Sequence, residues 1–116
     1  MLTVLADGQN HYRIWTDAYT ISFEKKIAGG KTELRSRPYD PVNHAFWRIR
    51  HDVGSDTIVF ETAPTLNGGA GAWTAQASTP RQTAVTGMHV ELKGGTYQNE
   101  TTAPGAVTFD HLLVTT

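Results

Sequence analysis

The residues with chemistry to offer fall into two groups. In His11-Tyr12-Arg13-Ile14-Trp15-Thr16 the residues alternate, so a strand here sets Tyr12 and Ile14 on one face and His11, Arg13 and Trp15 on the other. In the following segment Tyr19, Ile21 and Phe23 alternate with Thr20, Ser22 and Glu24, which lays Ser22 and Glu24 across from Trp15, with Arg13 near it. Such a grouping suits a sugar: the C–H face of a pyranose stacks on an indole while nearby charged groups take its hydroxyls. The same indole would serve equally well packed beneath a loop. The second group is Arg48, Arg50 and Glu61, to which Arg13 adds a further guanidinium. Guanidinium forks pair with oxygens two bonds at a time, so these four would form a polar concave surface that reads hydroxyls. Their alternative is a solvated cross-strand charge ladder. The candidate ligand-binding residues are therefore Trp15, Arg13, Glu24, Arg48, Arg50 and Glu61.

Nothing else assembles into a catalytic set, and the chain is expected not to be an enzyme. The five histidines (His11, His44, His51, His89, His111) have no His-x-x-x-His spacing, and exposed strand positions account for them. A nucleophile elbow, Gly-x-Ser-x-Gly, does not occur. Asn99-Glu100-Thr101 is a formal glycosylation sequon.

The elements that would carry these side chains are strands throughout. Ala28-Gly29-Gly30-Lys31 predicts a tight hairpin. With Gly29-Gly30 as its loop, Lys26 faces Glu33 and Glu24 faces Arg35, two pairs contributing roughly 0.2–1 kcal/mol each. Ile21, Phe23, Ile27 and Leu34 then share the other face. After a Pro38-Tyr39-Asp40-Pro41 loop, Phe46–His51 and Thr57–Thr62 flank a four-residue loop, Val53-Gly54-Ser55-Asp56. That length sets Ile49 opposite Phe60 and Arg48 opposite Glu61, again sorting core and charge to opposite faces. Leu66–Gly71 is a flexible loop before a short strand around Trp73, and both Trp47 and Trp73 are assigned to the core. Met88, Val90 and Leu92 alternate in a later strand. Gly94-Gly95 to Pro104-Gly105 is a long loop, and Val107 to Val114 closes the chain with a bulge near Asp110-His111. Met1–Leu5 has no basic n-region and no cleavage site, so it predicts a strand already under way and not a signal peptide. About nine short strands in 116 residues implies one all-β domain, residues 1–116, an antiparallel β-sandwich.

Composition narrows the function. Charged residues are 18%, hydrophobic residues 39%, and ten basic against eleven acidic residues leave a net charge of −1. This balance lacks the basic excess of a nucleic-acid binder. No apolar run is long enough for a membrane helix. Without cysteine there is no disulfide framework.

Trp47-Arg48-Ile49-Arg50 with Ile58-Val59-Phe60-Glu61-Thr62 and Trp73-Thr74 resembles the central hairpin of laminin-G-like, concanavalin-A-like jelly-roll domains. Gly94-Gly95-Thr96-Tyr97 and Ala103–Asp110 resemble their closing loop and last strand, so the likeness covers roughly residues 1–114. It implies a jelly roll from a bacterial secreted or phage tail protein, extracellular or on a virion, that binds carbohydrate, adheres to a surface or builds an assembly. Glycosidases on similar sandwiches carry Glu-x-Asp-x-x-Glu, which this chain lacks. Asp110 falls where such domains often carry an aspartate in the last strand, sometimes next to a structural calcium; Asp7, Asp17, Asp52 and Asp56 lie in loops, but no Asp-x-Asp-x-Asp loop is present. Family members usually begin with strands that precede the start of this chain. The expectation is a surface covered by another copy or another chain, hence a homo-oligomer or larger assembly.

Overall fold

The computed structural model describes residues 1–94, and its regular elements are all strands. They are β1 (Leu2–Asp7), β2 (Asn10–Thr16), β3 (Thr20–Ile27), β4 (Gly30–Pro38), β5 (Phe46–Asp52), β6 (Thr57–Ala63), β7 (Thr65–Leu66), β8 (Gly69–Ala70), β9 (Thr74–Pro80) and β10 (His89–Leu92). The closing strand expected at Val107–Val114, the loop before it and Asp110 lie outside the described residues. Among the described residues, no helix is long and apolar enough to cross a membrane.

Five strands pair in the order β10-β1-β2-β3-β4 and three in the order β5-β6-β9, all antiparallel. Alternation dictates what lies between the two sheets. Tyr12, Ile14, Ile21 and Phe23 from the larger sheet meet Ile58 and Phe60 from the smaller, each at most 3% exposed. Phe60 sits at the centre and presents its ring edge-on to Tyr12 and Phe23, at centroid separations of 6.3 and 6.2 Å. Burying rings of this size from both sides is what holds the sheets together. Trp47 packs against this core, and its indole N–H donates to the His44 carbonyl.

The β5–β6 hairpin has the register its sequence predicts: Arg48 faces Glu61 and Ile49 faces Phe60. Asp52 shapes the turn by accepting the backbone N–H groups of Gly54 and Ser55. Asp56 at its far end is gripped by Arg81 and His51, which hold its carboxyl down to about 2, Arg81 contributing most.

The β3–β4 hairpin corrects the expectation. Its two-residue loop is Ala28-Gly29, so Lys26 faces Lys31 and Glu24 faces Glu33, not Arg35. Both loop residues have positive φ, 51° and 83°, as the mirror-image hairpin turns require. The neighbouring β1–β2 turn selects this loop. Asn10 Oδ1 accepts the Ala28 N–H at 2.9 Å, and the Gln9 carbonyl accepts that of Gly29 at 2.9 Å. These two bonds offset the strain of a left-handed alanine. Lys26 turns instead to the Gly8 carbonyl. A bulge opposite Phe23 and Glu24 then leaves Leu34 as the extra residue and restores contact with the core.

Leu66–Gly71 is also more ordered than a flexible loop. Thr65–Leu66 and Gly69–Ala70 pair across Asn67-Gly68, both with positive φ, as a miniature hairpin.

Candidate functional site

The six candidate residues divide between two surfaces that face away from each other. Arg13, Trp15 and Glu24 lie on the outer face of the five-stranded sheet, since Tyr12, Ile14 and Phe23 turn inward. Arg48, Arg50 and Glu61 lie on the outer face of the three-stranded sheet, since Phe60 turns inward. Arg13 therefore does not join Arg48, Arg50 and Glu61 in one surface. The pleat that buries Phe60 between the sheets sends the two arginine groups in opposite directions.

On the five-stranded sheet, pairing brings Arg13 opposite Glu24 and Trp15 opposite Ser22. Glu24 Oε2 lies 2.7 Å from His11 Nε2 and 3.6 Å from Arg13 Nη1. Arg13 Nε donates to Thr3 Oγ1 at 3.0 Å, and the hydroxyls of Ser22 and Ser36 meet at 3.3 Å. Although this is the outward face, Thr3, His11 and Ser22 are 1%, 6% and 2% exposed. Burial lowers the proton affinity of His11 below the usual histidine value, against the opposing pull of its bond to Glu24. Half-buried Trp15 continues this strip to the sheet's end. There it lines a depression of about 400 Å³ with Asp17, Ala18 and Tyr19, the last of these 83% exposed. Asp17 holds the depression's floor by accepting the N–H groups of Tyr19 and Thr20.

On the three-stranded sheet, Glu61 Oε1 accepts from Arg48 Nε at 2.9 Å and Arg50 Nε at 2.7 Å. Arg48 stacks on the Trp73 ring, its guanidinium carbon 4.2 Å from the centroid. Trp73 is thus half-buried on the outer face and not part of the core. Here the charge ladder is the arrangement present: a buried carboxylate capped by two arginines that are themselves about two-fifths exposed.

His11 and His44 correct the reading of the histidines as exposed, being 6% and 3% accessible. The alternation of His11 with Arg13 and Trp15 gives its face, the outward one, but not its burial. Among the described residues, no three His, Asp or Glu side chains gather as metal ligands. Asp7, Asp17 and Asp52 instead bond the N–H groups of their own turns, and Asp56 is paired with Arg81. Asp110, the aspartate assigned to calcium, lies outside the described residues.

No known protein family, curated protein or solved structure matches this chain.

Proposed function

We propose that this chain is a non-catalytic carbohydrate-binding module, built as a laminin-G-like jelly roll, whose binding surface is the outer face of the five-stranded sheet. One observation carries the reading. Trp15 and the exposed Tyr19 flank a depression at the end of a strip in which Arg13, His11 and Glu24 are already held by one another. A pyranose stacked on Trp15 would find its hydroxyl partners prepositioned, with little side-chain entropy left to lose on binding. Cell-surface polysaccharide is the partner class that follows, met outside the producing cell or on a virion.

A glycan array tests the proposal. Specific binding that weakens about tenfold or more in Trp15→Ala, with Arg48→Ala unchanged, supports the outer-face site. Binding of no glycan, together with a defined oligomer in light scattering, points to an assembly module in its place. Turnover of any polysaccharide overturns the non-enzymatic reading, and a calcium requirement lost in Asp110→Asn adds the metal.

A further inference from the structure

A second cavity, of about 420 Å³, opens between the two sheets and is lined by Arg37, Asp40, His44, Thr62, Thr74 and Gln76 among others. Its volume falls within the range of small-ligand sites. A bulge builds its wall. Between Ala75 and Ala77 the β6–β9 register shifts, and the extra residue, Gln76, is buried inside. Gln76 Nε2 donates to Thr62 Oγ1 at 2.9 Å, and its Oε1 accepts from Arg37 Nη1 at 2.8 Å, so the guanidinium is drawn across from β4.

This arrangement leaves one buried donor without an acceptor. Arg37 Nε is buried and has no hydrogen-bond partner among the described residues, an expense proteins seldom leave unmet. His44 is buried too, and its Nδ1 accepts the Asp40 N–H at 3.0 Å. In the neutral ring the proton is therefore on Nε2, which makes no bond among the described residues. Burial, and then the charge of Arg37, lower that ring's proton affinity. The acidic group on the wall is turned away. Asp40 Oδ1 accepts the N–H groups of Val42 and Asn43, and Oδ2 accepts Asn43 Nδ2 at 2.6 Å.

We propose that this cavity binds a small hydroxylated carboxylate, its carboxyl group received by Arg37 and His44 and its hydroxyls by Thr62 and Thr74. The fixed positive charge of Arg37 and the N–H of His44 match a monoanion. A phosphate dianion would bring surplus negative charge close to Asp40. The site is independent of the outer-face reading, because Arg37 reaches into the space between the sheets and Trp15 faces away from it.

The test is an NMR titration of the ¹⁵N-labelled protein with D-glucuronate, D-glucose and inorganic phosphate, following the Arg37 Nε–H, the His44 ring and the Trp15 indole. Saturable shifts at Arg37 and His44 with glucuronate are expected, with glucose and phosphate each about tenfold weaker or more. Arg37→Gln should weaken glucuronate about tenfold while leaving the rest of the spectrum in place, and Arg37→Lys should fall between. If Arg37→Gln does not fold, the wild-type titration still decides. No shift at Arg37 Nε up to the order of 50 mM glucuronate, where even millimolar affinity saturates, overturns the site. Equal shifts with phosphate or glucose overturn the carboxylate assignment, and shifts confined to Trp15 place the ligand on the outer face instead.

Discussion

Replacing Phe60 by alanine tests the packing on which every surface described above depends. Phe60 is wholly buried and is the ring through which Tyr12 and Phe23 of one sheet touch the other. Losing a buried phenyl group costs about 3–5 kcal/mol, which already includes the two edge-on ring contacts. Since domains are stable by only about 5–15 kcal/mol, a loss of about 4 kcal/mol removes roughly a quarter to four-fifths of that margin. With a urea slope of about 1.5 kcal/mol per molar, a 4 kcal/mol loss moves the midpoint by about 2.5 M. Phe60→Leu keeps most of the volume and should cost less than about 1.5 kcal/mol. Combining it with Phe23→Leu isolates the ring–ring contact, with an expected coupling of about 0.5–1.5 kcal/mol. Urea unfolding followed by tryptophan fluorescence measures all of these. A Phe60→Ala cost below about 1 kcal/mol, or a cycle with no coupling, would refute a core shared between the sheets.

Three further outcomes follow from the same geometry. His11 and His44 both bind protons less readily folded than at the ordinary value of 6.5, burial being the main cause in each. The unfolded chain therefore takes up more protons just below pH 6.5, so their contribution is complete above that pH and shrinks as the pH falls; urea midpoints at pH 7.5 and 5 should show it, and His11→Gln with His44→Gln should flatten it. On the three-stranded sheet, Glu61→Gln should cost about 1 kcal/mol, whereas Arg48→Ala with Arg50→Ala should cost about 2 or more by leaving a buried carboxylate unpaired; equal costs in denaturation would contradict that order. Ala28→Gly should raise stability by about 0.5–1 kcal/mol, the relief of a left-handed alanine less the added freedom of the unfolded glycine, as a calorimetric melting shift would register.

Local alternation was enough to place most of the strands and the β5–β6 register, because a four-residue loop and a two-faced pattern admit few other pairings; it missed the β7–β8 pair and read only a short strand around Trp73 where β9 runs Thr74–Pro80. The β3–β4 register escaped it. Choosing Ala28-Gly29 over Gly29-Gly30 depends on Asn10 and Gln9, which belong to a different hairpin, and no periodicity within residues 20–38 carries that information. The bulges at Leu34 and Gln76 were equally hidden, since the extra residue is defined by its partner strand. For the candidate site, alternation put Trp15, Arg13, Ser22 and Glu24 on one face, with Trp15 across from Ser22, but it did not give the pairing of Arg13 with Glu24. It could not show that Arg13 and Arg48 point opposite ways, because that depends on how one sheet lies on the other. Nor could it show that His11 and His44 are buried.

The pairing of β1 with β10 has a mechanical side. Met1 and Lys93 exchange two main-chain bonds, the amino terminus to the Lys93 carbonyl at 2.7 Å and the Lys93 N–H to the Met1 carbonyl at 3.0 Å. Because the strands are antiparallel, both residues lie at the same end of the ladder. Tension applied between them peels the pairs apart one after another, from Leu2–Leu92 to Leu5–His89, and never loads them all in parallel. A module tethered at those two points yields at low force, so an attachment meant to resist shear flow would have to pull along a different line through the sheets.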